Sequence, residues 1–210
     1  MAMKLYMTPG SCSTGIHILL ETLELPFEAW VLNLPAGDHL KPEYLAINPR
    51  GTIPTLVPDD GPPLTDFRSI ALWLAARYPR ARLLPDDPPL AARAVELLDF
   101  ALGQLHGEGF TRIFTAERYL AEPGARARED VTAHGREIVT QAFGALERRL
   151  PAEGYAVGER FTIADAALFY NAFWADRTEI PLPPRVAAYY RRLRALPVVR
   201  QVLAEEGYRG

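Results

Sequence analysis

The sequence has one cysteine, no long apolar run and no concentration of charge of one sign. Cys12 alone cannot form an intramolecular disulfide, which fits a reducing cytoplasm. No segment approaches the roughly 20 consecutive apolar residues that cross a bilayer, and Pro9 and Gly10 stop the N-terminal residues short of a signal peptide's apolar core. The formal net charge is −3, with the arginines dispersed. We therefore expect a cytoplasmic protein with neither membrane nor nucleic-acid partners.

What the sequence does contain indicates two domains. Hydrophobic residues make up 49% of the 210 residues, enough for a substantial core. Residues 1–80 alternate strand and helix patterns, whereas residues 90–210 show almost only helical spacing punctuated by prolines. Between them, residues 79–89 hold four prolines, and we assign 81–89 as the linker. An α/β domain over 1–80 and an all-helical domain over 90–210 are therefore predicted.

The individual elements follow from periodicity and from turn residues. Strands are predicted at 4–8, 27–34, 52–57 and 63–65, and helices at 14–25, 41–45 and 66–78. In the second domain, helices are predicted at 90–120, 125–150, 163–177 and 185–206.

Cys12 lies where the first predicted strand gives way to the first predicted helix. Backbone N–H groups and the positive end of a helix dipole would stabilise a thiolate there. The alternative is that Cys12 is a small buried hydrophobe, the commoner role of a lone intracellular cysteine. The run Cys12-Ser13-Thr14-Gly15 is not Cys-x-x-Cys, which excludes dithiol exchange of the thioredoxin kind.

Two other positions suggest a ligand site, although each has a structural alternative. Pro54 interrupts a strand-like run, so it lies at an edge, at a bulge or after a cis bond. A cis bond would leave the backbone of Ile53 available to an extended peptide ligand. Asp66 begins the third predicted helix, where it would either cap the helix or bind a ligand ammonium.

Three ordered motifs resemble the glutathione-binding domain of glutathione transferases, and the first is most similar to the bacterial beta class. The motifs are YMTPGSCS at 6–13, NPRGTIPTL at 48–56 and LTD at 64–66. In addition, GERFTIADA at 158–166 matches that family's buried capping box, with Thr162 and Asp165 at the N-cap and N3 spacing. The resemblance implies a thioredoxin-like N-terminal domain with a mixed four-stranded sheet, followed by an all-helical domain.

The resemblance also implies an activity and the residues that perform it. The protein would be a homodimeric detoxification enzyme that conjugates or transfers glutathione, its co-substrate, to a small hydrophobic electrophile without a metal. Cys12 and, from the helical domain, His106 would be the catalytic residues at the glutathione sulfur. The glutathione-binding groups would be the backbone of Ile53 with cis Pro54, Asp66 for the glutamyl ammonium, the helix start at Phe67 for its carboxylate, and Lys41 or Arg50 for the glycyl carboxylate. The electrophile would lie near Met7, Phe110, Phe114 and Trp174.

The sequence departs from the family pattern at four of these positions. Phe67 replaces a usual Ser or Gly and would add bulk beside the glutamyl site, and Asp66 is shorter than the usual Glu or Gln. Met7 stands where a tyrosine is common, and Gly107 stands where a basic residue is often found. His17 matches a family histidine, for which we expect a structural role. Two alternatives therefore stay open: thiol transfer through a mixed disulfide on Cys12, and a ligand carrier without catalysis.

Overall fold

The contacts of the chain form two units in the computed structural model, which describes residues 3–122 and 124–208. The first unit comprises Met1–Asp86 with Leu193–Gly210, and the second comprises Asp87–Arg192. The domain limits 1–80, 81–89 and 90–210 stay a prediction, and their outermost residues, 1–2 and 209–210, lie outside the described residues. The grouping of 193–210 with the first unit differs from that prediction, because the last helix packs on the first helix.

A mixed four-stranded sheet forms the centre of the first unit, as predicted. Its strands are β1 Met3–Met7, β2 Phe27–Val31, β3 Thr55–Val57 and β4 Leu64–Thr65. They lie in the order β2-β1-β3-β4, with β1 parallel to β2 and β3 antiparallel to both β1 and β4. Leu5 pairs with Ala29 on one side and with Leu56 on the other. Pro54 precedes β3, so the observed strand begins three residues later than the strand predicted at 52–57.

Four helices belong to the first unit: α1 Ser13–Thr22, α2 Pro42–Leu45, α3 Phe67–Arg77 and α9 Pro197–Glu205. Every residue of α1 from Ser13 to Leu20 is buried, because the helix contacts β1, α3 and α9. The predicted extent of α1 to residue 25 is too long. The chain leaves the helix at Leu23, and Glu24 follows with a φ of 52°. Short 3₁₀ turns occupy Asp38–Leu40 and Pro79–Ala81.

The described residues of the second unit form helices joined by turns and loops, with no strand, which confirms the predicted class. Its helices are α4 Pro88–Phe100, a π-helix Ala101–Phe110, α5 Thr111–Phe114, a 3₁₀ turn Ala116–Tyr119, α6 Ala125–Glu147, α7 Ile163–Arg177 and α8 Pro184–Arg194. The predicted helix at 90–120 thus contains ten π-helical residues. The predicted helix at 185–206 is two helices, because Pro197 removes a backbone donor and begins α9 as its first residue.

The buried helix α7 begins at the predicted capping box. Asp165 accepts from the backbone N–H of Thr162 at 2.8 Å and from its hydroxyl at 2.7 Å. The Tyr189 hydroxyl donates to the same carboxylate at 2.6 Å, and the Ala156 N–H donates at 2.8 Å. Four donors therefore compensate this buried carboxylate. Across the described ranges, every helix falls short of the length or apolarity that a membrane crossing requires.

Candidate active site

Cys12 occupies the N-cap position of α1 and is buried, with 7% of its surface exposed. Its Sγ–H donates to the backbone carbonyl of Ile53 at 3.6 Å, which links the start of the helix to the loop before β3. Ser11 accepts from the N–H of Ser13 at 3.1 Å and shares a hydroxyl hydrogen bond of 2.6 Å with it. These two serines thus order the first turn around the thiol.

A buried carboxylate from the C-terminal segment holds the loop on both sides of Cys12. Glu206 accepts from the N–H of Gly10 at 2.7 Å and from the hydroxyl of Thr14 at 2.6 Å. The Tyr208 hydroxyl donates to Pro9 O at 3.4 Å. Gly10 has a φ of 74°, and a Cβ there would lie 2.0 Å from the Tyr208 hydroxyl, so only glycine fits.

The thiol is not activated in the way that its place in the sequence suggests. Burial, and to a smaller extent the charge of Asp66, raises the pKa of Cys12 to about 12. The N–H groups of Cys12 and Ser13 lower the pKa, as expected at a helix start, but burial outweighs them. At neutral pH the neutral S–H form of Cys12 is therefore favoured, because the expected lowering of its pKa at the helix start is smaller than the opposing effect of burial.

The loop that carries Ile53 is fixed by a polar network. The Ile53–Pro54 bond is cis, as predicted. The Asn48 amide donates to Thr52 O at 2.8 Å and to the Thr55 hydroxyl at 3.0 Å. The Tyr44 hydroxyl shares a hydrogen bond of 2.9 Å with the same Thr55 hydroxyl. These side chains are buried or half-buried, so they hold the loop against the sheet while Ile53 stays half-exposed.

Asp66 stands at the N-cap of α3 without capping it. Its φ is 68°, a backbone conformation that residues other than glycine rarely adopt. The carboxylate forms an ion pair with Arg50, and both side chains are exposed. The side chain forms no cap hydrogen bond and is 42% exposed, so a ligand can reach the carboxylate.

The structure places Phe67 differently from the sequence-based expectation. Phe67 is the first residue of α3 and is 4% exposed, so its ring packs in the core rather than over the helix start. The predicted bulk beside the glutamyl site is therefore not observed. Lys41 pairs with Asp38 at 2.6 Å.

His106 lies in the π-helix of the second unit, a geometry that recurs at functional sites. Its Nδ1 shares a hydrogen bond of 3.0 Å with the buried Tyr170 hydroxyl. The imidazole packs edge-on against Trp174, with ring centroids 4.9 Å apart. Burial lowers the pKa of His106 to about 4, so the imidazole is neutral at pH 7.

The aromatic residues predicted to lie near the electrophile form one cluster in the second unit. Trp174 contacts Phe110 at 5.2 Å and Phe114 at 5.1 Å between ring centroids. Phe110 is buried, whereas Phe114 is 48% exposed. The cluster therefore presents an aromatic surface next to His106. Met7, the fourth residue of that prediction, is a buried residue of β1 in the first unit.

Within the first unit, the predicted residues assemble into two contacts. Cys12 meets Ile53, and Arg50 meets Asp66. His106 belongs to the second unit, where it is grouped with Phe110 and Trp174 through ring contacts.

Three further residues support these contacts. They are Glu206, Tyr170 and Asn48, and each holds a site residue or its loop through a side-chain hydrogen bond. Asn48 follows from the motif at 48–56, of which it is the first residue. Glu206 and Tyr170 had no sequence signal, because 196 residues separate Glu206 from Gly10 and 64 separate Tyr170 from His106.

Two family models match the chain, one in each half. The model of the glutathione S-transferase N-terminal domain matches residues 10–77, which include Cys12, Ile53 and Asp66. The model of the glutathione S-transferase C-terminal domain matches residues 129–192. The predicted family resemblance is confirmed.

Whole-length relatives and solved structures agree with this match. Glutathione S-transferase GstA of Escherichia coli O157:H7 is 32% identical over 216 residues, which cover 98% of this chain and 99% of the relative. A glutathione transferase homologue from Sulfitobacter, solved with bound glutathione, superposes with a TM-score of 0.88 at 27% identity, covering 99% of both chains. A bacterial beta class enzyme from Sphingomonas chungbukensis superposes with a TM-score of 0.81 at 28% identity, covering 98% of this chain and all of the other.

Proposed function

Because the chain belongs to the glutathione S-transferase family, we propose that it is an enzyme that transfers glutathione to a small hydrophobic electrophile. The contact between the Cys12 thiol and the Ile53 carbonyl is the observation that carries this proposal. It brings the one thiol of the chain to the half-exposed loop whose backbone would pair with the cysteinyl part of glutathione. Asp66, whose charge acts on the same thiol, would bind the glutamyl ammonium.

The ion pairs of the first unit support a choice between the two basic residues. Arg50 is bound to Asp66 and so belongs to the glutamyl end of the site. The glycyl carboxylate lies at the other end of the tripeptide, which leaves Lys41 as its partner. The N–H groups at the start of α3, at Phe67, would receive the glutamyl carboxylate.

In this proposal Cys12 acts as a hydrogen-bond donor and not as a nucleophile. When glutathione binds, the neutral S–H would turn from the Ile53 carbonyl to the glutathione sulfur and stabilise its thiolate. The thiol proton of glutathione passes to solvent. The sulfur lone pair then forms the bond to the electrophilic carbon, and the leaving group departs with its bonding electrons. Neutral His106 would offer a second polar contact beside the aromatic surface formed by Phe114 and Trp174.

Turnover of a chlorodinitrobenzene with glutathione tests the catalytic roles. We expect Cys12→Ala to lower kcat/KM by about 10–100-fold, because a hydrogen bond to a charged group contributes about 1.5–3 kcal/mol. Cys12→Ser keeps a hydroxyl donor and should lose less. Unchanged turnover in the double variant Cys12→Ala/His106→Gln would reject both assignments. If the wild type neither binds nor turns over glutathione, the ligand-carrier alternative replaces the enzyme.

Calorimetric titration separates the two basic residues. Lys41→Gln should weaken the binding of glutathione but leave that of γ-glutamylcysteine, which lacks the glycyl carboxylate, unchanged. Arg50→Gln should change the affinity for both ligands by a similar factor. The reverse pattern would exchange the two roles.

Thiol transfer is the weaker alternative, because the buried neutral thiol of Cys12 is a poor nucleophile. Treatment with oxidised glutathione distinguishes the two activities. Conjugation alone predicts an unchanged intact mass, whereas thiol transfer predicts one glutathione adduct that is lost in Cys12→Ser.

The family resemblance also supports a homodimer in which the first domain of one subunit contacts the helical domain of the other, a two-fold arrangement. Sedimentation of the full chain tests this arrangement, and a monomeric mass would reject it. A role in detoxification within the cytoplasm accords with an apolar electrophile and with the lone reduced cysteine.

A further inference from the structure

One imidazole and three carboxylates form a cluster on α1 and α9 that the proposed reaction does not use. His17 and Glu21 lie one turn apart on the same face of α1, and Glu205 ends α9. One ligand atom from each of these three residues lies within 4.8 Å of the other two. We propose that His17, Glu21 and Glu205 bind a divalent transition-metal cation of the Zn²⁺ class.

The imidazole is already oriented for such a role. His17 is buried, and its Nδ1 lies 2.9 Å from Oε1 of Glu206, whose side chain is 1% exposed. Metal-binding histidines commonly donate the second ring N–H to a carboxylate in this way, which fixes the ring and the tautomer. The opposite nitrogen, Nε2, faces Oε2 of Glu205 at 3.2 Å.

The two carboxylates are held together by a common donor. The Gln201 amide donates to Oε2 of Glu21 at 3.0 Å and to Oε1 of Glu205 at 2.9 Å. This leaves Oε2 of Glu205 turned toward the imidazole. Each of the three ligand residues therefore has a second protein group that positions it, as metal ligands usually do.

The charge of the cluster favours a cation. Glu21, Glu205 and Glu206 surround a single imidazole, so even a protonated ring leaves an excess of negative charge that a divalent ion would neutralise. All four side chains line a cavity of about 380 Å³, which Met7 also lines. The cavity has room for a water or a small ligand as a fourth partner. One imidazole with two carboxylates suits Zn²⁺ and related ions better than Mg²⁺.

Calorimetric titration of Zn²⁺ into the chelator-treated full chain tests the site, and it requires neither glutathione nor turnover. We expect one equivalent to bind, with each of Glu21→Gln and Glu205→Gln weakening the affinity by at least about tenfold. These substitutions keep the side-chain volume at half-buried or exposed positions, so the fold is preserved. Mg²⁺ should compete poorly.

Two control variants locate the binding. His134→Gln/Glu137→Gln removes an exposed His–Glu pair 3.5 Å apart on α6, and Cys12→Ser removes the thiol. Both should bind Zn²⁺ as the wild type does. Absence of binding by the wild type would overturn the proposal and leave His17 as a hydrogen-bonding partner of Glu205 and Glu206. An affinity for Zn²⁺ in Glu21→Gln and Glu205→Gln equal to that of the wild type would also overturn it, as would loss of binding in either control.

Discussion

Cys12 and His106 lie in opposite kinds of surroundings. Around Cys12, serine hydroxyls, backbone groups and the buried carboxylate of Glu206 order the loop by hydrogen bonds. Around His106, the rings of Tyr170 and Trp174 make edge contacts, and a hydrogen bond with the Tyr170 hydroxyl orients the imidazole. The first arrangement fixes a backbone path, whereas the second provides an apolar surface.

The two surroundings nevertheless have the same electrostatic effect. Burial raises the pKa of Cys12 to about 12 and lowers that of His106 to about 4. Both shifts favour the neutral form, because burial disfavours charge of either sign. At neutral pH the thiol and the imidazole are therefore both uncharged, so the nucleophilic anion of the proposed reaction comes from the substrate.

The largest expected effect concerns the reactivity of Cys12. A rise in pKa from 9.0 to about 12 lowers the thiolate fraction at pH 7 about a thousandfold. A more basic thiolate is intrinsically more nucleophilic, which recovers part of this loss. We therefore expect the native protein to react with iodoacetamide at least about thirtyfold more slowly than the same protein unfolded in urea. Equal rates in the two states would show that burial does not suppress the thiolate of Cys12.

The second prediction concerns a substitution that removes hydrogen bonds from the network around Cys12. Glu206→Ala should lower the free energy of unfolding by about 3 kcal/mol, because the donors of Gly10 and Thr14 lose their buried acceptor. Urea unfolding measures this change. The neighbouring Glu205→Ala removes a half-exposed carboxylate and should cost less than about 1 kcal/mol. A faster alkylation of Cys12 in Glu206→Ala alone would show that the network holds the thiol loop.

Local patterns were sufficient to predict most of the fold. The apolar run of α1, the capping box of α7 and the strand–turn rhythm before residue 66 each encode their structure within a few residues. The predictions fail where contacts with residues distant in sequence determine the structure. The π-helix interrupts a helical spacing that its residues alone do not distinguish, and α9 joins the first unit through contacts with α1.

In the candidate site, too, local motifs could be predicted and the effects of distant packing could not. Cys12, Ile53, Pro54 and Asp66 stand in short motifs, so the family resemblance could name them. The protonation state of Cys12 could not be predicted in this way, because the helix start and burial act in opposite directions and only the structure gives their relative size. For Phe67, sequence alone could not show whether the ring points into the core or over the helix start.

The third prediction uses the pKa of His106. Its folded value of about 4 lies below the ordinary value of 6.5, so the unfolded chain binds the proton more tightly. The stability that this group contributes is present above pH 6.5 and is lost as the pH falls toward 4, amounting to at most about 2 kcal/mol by pH 5. His106→Gln should therefore lose less stability than the wild type between pH 7 and pH 5 in urea unfolding. An identical pH dependence would contradict the shifted pKa.

The smallest expected effect concerns the hydrogen bond between His106 and Tyr170. Tyr170→Phe removes the hydroxyl that His106 contacts at 3.0 Å but keeps the ring that packs against Trp174. A double-mutant cycle with His106→Gln should give a coupling of about 1 kcal/mol in urea unfolding, the usual size for one neutral hydrogen bond. The same cycle with Trp174→Phe in place of Tyr170→Phe measures the ring contact at 4.9 Å. A coupling energy between His106 and Trp174 but none between His106 and Tyr170 would mean that packing alone orients the imidazole. Ring packing would then order His106, whereas hydrogen bonds order the Cys12 loop.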